Sequence, residues 1–563
     1  MPEATYGFVS LMDGMHGGIN PQLLKETAYA KGINVSSRRG LIHTRPGFVA
    51  ETTCAVPAGV FQGAGVWSLN SGDRLVFVVS GRVYAWHTES HALTDLGVLR
   101  DASAQCFLGQ VGEYFMIQDG SGAPVVLEEV GGVPAVYSGA VTFPSGYLFH
   151  YVHGRIHGVP KVVPGTTEDG RPYFVSGDVL LPDEPENVLQ ATETEYWNEG
   201  GAHSLPMEMG FIRGLVSFRN ASTGTGAGAM LVFGRKGVSA FDMSIERKFW
   251  KETALSQVLF FGPGTDSPRS PVAVNSDVAY RADDGIRFIR FSATAVANSL
   301  SNTPQSSEVE EWLALDARTS LPFVSMAFAD NRLLCTAAGV DTRYFKGLVS
   351  LDTALVSAFS GAGSPAYDGL WTGFDFAQVL AADCGGRKAH YVFTRGPQLY
   401  RLDAGAATDP GNTPILSRVI TRAFIDTVDL KQIKYAEIWA SELKVATTFR
   451  VWYRPTGYPL WALLGERTLS VPTGSLPQVR RKIRIALDVD SKMCNPATGE
   501  ALWKAQDFQF ALDFEGHAQI DKFRVVVESL TEGPPEPCEG QIEAVMVGEL
   551  AGQVLDDFEY EVT

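Results

Sequence analysis

Short apolar runs separated by glycine-, serine- and aspartate-rich turns recur along most of the chain, and their period is that of strands rather than helices. In LVFVVSGRVYAW, residues 75–86, a Ser-Gly pair divides two apolar runs, so Val83, Tyr84 and Trp86 fold back against residues 75–79 as a hairpin. The same unit returns at 114–127 around DGSGAP, at 147–159 around Gly154-Arg155, and at 230–241 around GRKG. It returns again at 278–291 around ADDG, at 323–349, and at 390–402 around TRGP. Roughly seven clusters over about 350 residues match the spacing of four-stranded propeller blades with insertions. No WD dipeptide, recurring kelch Gly-Gly or Asp-box marks the repeat. The expectation is therefore a degenerate β-propeller of about six to eight blades, with a pair of stacked sandwiches as the competing architecture. Loops are expected at 165–172, 181–187, 200–206, 221–229, 301–307 and 357–366, and a short helix around Trp312, where acids precede the apolar residues.

A loop-like stretch, DAGAATDPGNTP at 403–414, ends this series. Beyond it ILSRVITRAFID, YAEIWASE, TTFRVWYRP, RRKIRIALDVD, FQFALDFEG and KFRVVVES alternate apolar and polar positions, as strands of an antiparallel sandwich do. The reading is all-β, in four parts: an N-terminal clamp segment (1–50), a propeller-like domain (51–410), a sandwich-like domain (411–530) and an acidic C-terminal segment (531–563).

The first fifty residues follow a different pattern. In residues 17–48, GGINPQLLKETAYAKGINVSSRRGLIHTRPGF, Gly17 and Gly18 suit positive φ and Pro21 fixes a bend. A short helical piece over 23–29 is expected next. Strands at 33–35 and 41–43 are expected to reverse through Ser36, Ser37 and Gly40, and Arg45-Pro46-Gly47 suits a type II turn.

This stretch resembles the N-terminal signature of tail nozzle (tail tubular) and related tail structural proteins of short-tailed bacteriophages. The resemblance is carried by Gly17, Gly18, Gln22, Asn34, Gly40, Leu41, Arg45, Pro46 and Gly47, and covers less than a tenth of the chain. It implies a virion structural protein with no catalytic role, in which a propeller is joined to further β domains. Several copies, commonly six, would form a ring continuing the DNA ejection channel. The implied partners are an adaptor protein above, fibres or a closing plug below, and genomic DNA passing without specific binding. Nozzle proteins are often larger, so a tail-fibre adaptor or head-surface virion protein remains an alternative. A reading of another class is a carbohydrate-active or lectin-like propeller acting on the host surface.

Composition narrows these choices. Hydrophobic residues at 45%, 19% charged, 58 Gly and 30 Pro fit a turn-rich β protein. A net charge of −17 argues against a protein that grips nucleic acid, which needs clustered Lys and Arg. The six cysteines, 54, 106, 335, 384, 494 and 538, lack zinc or redox spacing and read as idle thiols. Without a signal region or a long apolar run, the expectation is a soluble protein made in the host cytoplasm and ending in the virion tail.

Candidate chemistry is sparse. His150, His153 and His157 form the nearest approach to a metal cluster, but only His153 and His157 have even spacing, across a glycine turn. The glycines of 223–234 open a strand and not a helix, unlike a phosphate loop. DVDSKMCNPATGE, 488–500, lacks the central glycine of a calcium loop. The adjacent acids Asp283-Asp284 and Glu310-Glu311 show no facing geometry, and no GxSxG elbow occurs. No metal, cofactor or catalytic residue is expected. One feature stands out: Arg480, Lys482 and Arg484 in QVRRKIR share a strand face, whereas residues 525–563 carry ten acids and no Lys or Arg. The two are expected to meet across a subunit or partner contact.

Overall fold

The computed structural model describes residues 3–530 apart from 193–201, 219–227, 254, 276, 290–303, 355–364, 426–428, 472–478, 488–490 and 496–497. Its central part is a seven-bladed β-propeller. Blades one to four are four-stranded antiparallel sheets beginning at Phe61–Leu69, Phe107–Val111, Gly146–Val152 and Ile212–Phe218. Blade five shows three described strands from Val272–Val274. Blade six comprises Met326–Ala329, Arg332–Gly339, Phe345–Asp352 and the first half of one long strand, Ala366–Cys384. The second half of that strand opens blade seven, followed by Arg387–Thr394 and Leu399–Asp403. The last strand of blade seven, Gly47–Ala50, comes from the N-terminal segment. The first strand of each blade lies beside that of the next, and the last returns to the first, closing the ring.

The hairpins expected from the sequence are present, and several turns carry two successive positive φ angles, as tight type I′ reversals require: Ser80 and Gly81, His153 and Gly154, Asp330 and Asn331. Alternation along a strand explains the continuous apolar runs. In Gly72–Val79, Leu75, Phe77 and Val79 pack with Tyr391 and Phe393 of blade seven, whereas Val76 and Val78 pack with Phe115, Ile117 and Leu127 of blade two. Every blade interior therefore buries both faces, unlike one layer of a sandwich. The stacked-sandwich alternative for the middle of the chain is thereby set aside.

The C-terminal part is a two-sheet sandwich. One sheet runs through Arg481–Ala486, Lys431–Ser441, Gln519–Ser529 and Ile42–Thr44 to Val35–Ser36, with Glu3–Phe8 also paired to Gln519–Ser529. The other runs through Leu416–Phe424, Phe508–Glu515, Thr447–Pro455 and Ala462–Leu469. Between them Phe8, Ile433, Ile438, Phe449, Phe510 and Phe523 form one buried core. The short strand Lys31–Ile33 pairs with Leu416–Phe424 on one side and, through Ile33, with Leu370 of the long propeller strand on the other. A single hydrogen-bonded sheet thus runs from propeller into sandwich.

The N-terminal segment departs from several expectations. The hairpin of Val35–Ser36 with Ile42–Thr44 forms, its reversal a 3-10 turn at Arg38–Gly40. No helix occupies 23–29: a 3-10 turn, Pro21–Leu23, is followed by extended chain and the strand Ala28–Tyr29, whose residues are buried. Arg45-Pro46-Gly47 is no type II turn, because Gly47 lacks the positive φ; the chain passes extended from sandwich into blade seven. Gly17 and Gly18 also lack positive φ, and Gly40 has it at +78°. Elsewhere, the loop expected at 200–206 contains the strand Ala202–Ser204, and Ala462–Leu469 is a strand not anticipated. The loops expected at 221–229 and 357–366 and the glycines of 223–227 lie largely outside the described residues, and residues 531–563 entirely so.

Candidate functional site

The signature residues divide into those that touch one another and those that do not. Asn34 adopts φ +53°, which asparagine tolerates better than most residues. That turns its side-chain carbonyl toward Arg45 Nε at 2.9 Å and the Thr372 backbone N–H at 2.7 Å, while its amide donates to Thr372 Oγ1 and the Leu416 carbonyl. The Arg45 guanidinium, 1% exposed, donates to the Thr372 carbonyl at 2.7 Å and to both oxygens of Asp409, and lies over the Phe48 ring at 4.5 Å. Asn34 and Arg45 thus tie together the long propeller strand, the first sandwich strand and the linker between the two parts.

A second buried network continues it. Asp368 accepts from the Ser37 N–H and hydroxyl and from Arg332, which also reaches Ser36 and Asp352; Asp352 in turn accepts from Arg38. Burial pushes the Asp368 carboxyl up, against the pull of Arg332 and the Ser37 N–H. The glycines serve close approach: a Cβ on Gly18 would lie 2.4 Å from the Ser307 carbonyl oxygen, and one on Gly47 2.5 Å from that of Thr408. Gly17 donates to the Glu308 carbonyl at 2.7 Å, and Gly40 accepts from the Leu11 N–H. Gln22 is exposed and caps nothing with its side chain; its N–H is held by Asn20. Pro46 lines a cleft at the junction.

Arg480, Lys482 and Arg484 do share one outward face, and the fold adds partners that spacing along one strand does not reveal. On the central strand Lys431–Ser441, Trp439 stands opposite Lys482 on one side and Lys522 on the other, and Glu437 opposite Arg484 and Arg524. The opposite face of the same strands carries Ala436, Ile438, Ile483, Ile485, Phe523 and Val525 into the core. Lys482 Nζ, Lys522 Nζ and the Arg524 guanidinium lie 5.0, 5.2 and 5.1 Å from the Trp439 ring, and the Arg484 guanidinium 3.5 Å from that of Tyr435. Lys482 and Arg524 both bond to Glu437, and Arg480 meets Asp521 at 3.3 Å. Desolvation would raise the Glu437 carboxyl, but the hydrogen bonds from Lys482 and Arg524 overcome it and hold the carboxyl below its usual range. Five cations therefore surround two carboxylates and a half-buried indole on one face of a chain that is acidic overall.

The remaining candidates resolve differently. His150 and His157 stand directly opposite each other on paired strands, a juxtaposition that spacing within one strand hid. His157 shares a hydrogen bond with Ser176 at 2.7 Å, and His203 lies among Phe174, Phe241 and Trp250. Burial, with the neighbouring histidines, pushes His157 well below its ordinary value, and burial beside Arg247 brings His203 down to about 4. Among the described residues no three His, Cys, Asp or Glu side chains are grouped to hold a metal ion. Asp284 pairs with Arg287, and Glu311 with Lys31. Cys54, Cys106, Cys335 and Cys384 are free thiols, but Cys494 is disulfide-bonded, which corrects the reading of six idle thiols.

No protein-family model and no curated protein matches the chain. Among solved structures, U3-55K aligns at a TM-score of 0.38 with 10% identity, over 64% of this chain and 99% of that one. A chain of the mitotic checkpoint complex aligns at 0.34 with 11% identity, over 64% and 94%. Virginiamycin B lyase from Staphylococcus aureus aligns at 0.34 with 8% identity, over 60% and 94%. The propeller assignment rests on the strand pairing and ring closure described above, and nothing about activity is drawn from these likenesses.

Proposed function

We propose that the protein is a structural component of a bacteriophage tail, a nozzle-type subunit whose copies form a ring around the DNA ejection path. The observation that carries the reading is that two residues of the resembling signature, Asn34 and Arg45, converge on one buried joint between propeller and sandwich. A signature spent on holding two β domains at a set angle suits a load-transmitting subunit better than a ligand site. In this reading the ring, commonly of six copies, sits below an adaptor protein, bears fibres or a plug, and lets DNA pass without specific contacts. The acidic balance of −17 favours passage of a polyanion over its capture. The protein acts without catalysis, metal or cofactor, in the virion tail.

Native mass spectrometry with negative-stain imaging of the purified protein tests this. A closed ring of defined copy number with an axial opening is expected. A monomer that binds or cleaves capsular polysaccharide would replace the reading with a lectin-like or carbohydrate-active propeller. Antibody labelling of fibre bases or head in the virion would replace it with a fibre adaptor or head-surface protein.

A further inference from the structure

Two surfaces of opposite charge lie in different parts of the molecule. The first is the sheet face around Trp439, where Arg480, Lys482, Arg484, Lys522 and Arg524 stand against only Glu437 and Asp521. Half-buried Tyr435 and Trp439 sit among these arginines, and Trp, Tyr and Arg are the residue types that carry most of the energy of protein contacts. Like charges brought opposite one another repel, so two copies cannot meet through this face, and the surface that fits it is acidic.

Such a surface lies on the rim of the propeller between blades two and three. Tyr114 and Tyr137 of blade two meet edge to face at 5.4 Å, and Glu113 and Glu128 gather around them with Glu186 of blade three. Burial first, and then Glu113, Tyr137, Glu186 and Glu128, push the Tyr114 hydroxyl up to about 12. None of the three carboxylates has a cationic partner among the described residues. Val130 lies two residues beyond Glu128, hence on its side of the sheet, and stands directly opposite Val133. These valines are 59% and 55% exposed. The rim thus offers acids and apolar surface where the sandwich face offers cations and rings.

The fold keeps the two surfaces apart within one chain. The sandwich joins the propeller at blades six and seven, through Leu370 and Gly47–Ala50. In a closed ring of seven blades, the side opposite blade six is the gap between blades two and three. We propose, on the basis of the ring reading above, that the Trp439 face of one copy docks on the rim between blades two and three of the next. A contact between two different surfaces is head-to-tail: every copy added leaves one face and one rim open, until the circle closes. Arg480, Arg484 and Lys522 meet Glu113, Glu128 and Glu186, and Val130 and Val133 supply apolar contact against Trp439 and Tyr435. The charges steer the encounter, and the contact weakens as salt screens them.

A charge exchange between two variants of the full chain tests the contact. Arg480→Glu with Arg484→Glu and Lys522→Glu turns the face acidic and leaves Lys482 and Arg524 on Glu437. Glu113→Lys with Glu128→Lys and Glu186→Lys turns the rim basic. By sedimentation at low salt, each variant alone should assemble roughly tenfold or more weakly than the unaltered chain. Mixed in equal amounts they should assemble again, with native mass spectra showing both variants in equal number, because the acidic face now meets a basic rim and the native face a native rim. If either triple variant melts early, Lys522→Glu and Glu128→Lys alone make the same comparison. A ring of the unaltered chain that both variants also form, or that mixing does not restore, would overturn this contact and leave the ring standing on another one. An unaltered chain that stays monomeric at every concentration would overturn ring and contact together.

Discussion

The buried joint at Arg45 and the exposed face at Trp439 are both built from arginines, carboxylates and aromatic rings, yet they are held under opposite conditions. At the joint Arg45 is 1% exposed, and its guanidinium is committed to Thr372, Asp409 and Asn34. On the face Arg480 and Lys482 are about half exposed, and cations outnumber carboxylates. Removing one member of a buried pair leaves a charge without water or partner, whereas an exposed pair has solvent to fall back on. The joint therefore holds the fold together, and the face contributes little to it.

The sharpest break of that contrast is Asp409→Ala, which strands the Arg45 guanidinium. Chemical denaturation should show a loss of about 3–5 kcal/mol. The same reasoning applied to buried histidines gives a pH dependence. His203, beside Arg247, and His390, beside Arg332, sit near 4, both chiefly through burial, against an ordinary value near 6.5. The unfolded chain binds those protons first, so what these two histidines contribute is full above about pH 6.5, falls as the pH drops, and is spent below about 4. Each contributes a loss of about 3 kcal/mol by linkage. Melting temperatures across that window should show the fall, and His203→Phe, set among aromatic neighbours, should remove its share and leave that of His390.

Gly18 and Gly40 sharpen the contrast at the level of backbone. Gly40→Val places a β-branched residue at φ +78° and should cost about 1–3 kcal/mol, partly recovered by Gly40→Asn, because asparagine accepts that conformation while any Cβ there must still displace the Ser10 hydroxyl, 2.7 Å away. Gly18→Asn should bring no such recovery over Gly18→Val, since the Ser307 carbonyl oxygen stands in the way of any Cβ. The smallest effect is expected on the exposed face. Arg480→Gln should change global stability by about 0.2–1 kcal/mol, within a degree or two of melting temperature, and a larger loss would place the face among the structural networks.

Local features of this fold were legible and distant ones were not. The type I′ reversal at Ser80-Gly81 is written in two adjacent residues, so that hairpin could be read directly; the one in blade three sits at His153-Gly154, one residue before the expected Gly154-Arg155, because His153 takes a positive φ that its side chain does not advertise. The alternation of Arg480, Lys482 and Arg484 gave their common face for the same reason, but Lys522, Arg524 and Trp439 join it only through cross-strand register. The His150–His157 pair was hidden likewise. The N-terminal segment misled because its conformation is imposed from afar: Ala28–Tyr29 is extended and buried beneath partners such as Tyr367 and Asp368, whose carbonyls the Tyr29 hydroxyl reaches. Ala462–Leu469 escaped notice because it is an edge strand whose second half, from Gly465, is polar and largely exposed, the composition of a protected edge.

Glu3–Phe8 pairs along Gln519–Ser529, with Phe8 opposite Phe523. On the ribosome this means that Glu3–Phe8 has to wait for a partner, Gln519–Ser529, that is made more than 500 residues later. At about 5–20 residues per second the delay is on the order of half a minute to two minutes, during which Tyr6 and Phe8 have no core to enter. Blades one to four can close as they emerge, since each is built from consecutive strands. Blade seven can finish once Leu399–Asp403 meets the waiting Gly47–Ala50, but the sandwich cannot finish until Gln519–Ser529 has been made. The newly made protein therefore passes through a period in which the propeller can close while Glu3–Phe8 and Ile42–Thr44 still lack Gln519–Ser529, the interval in which a holding chaperone has most to bind.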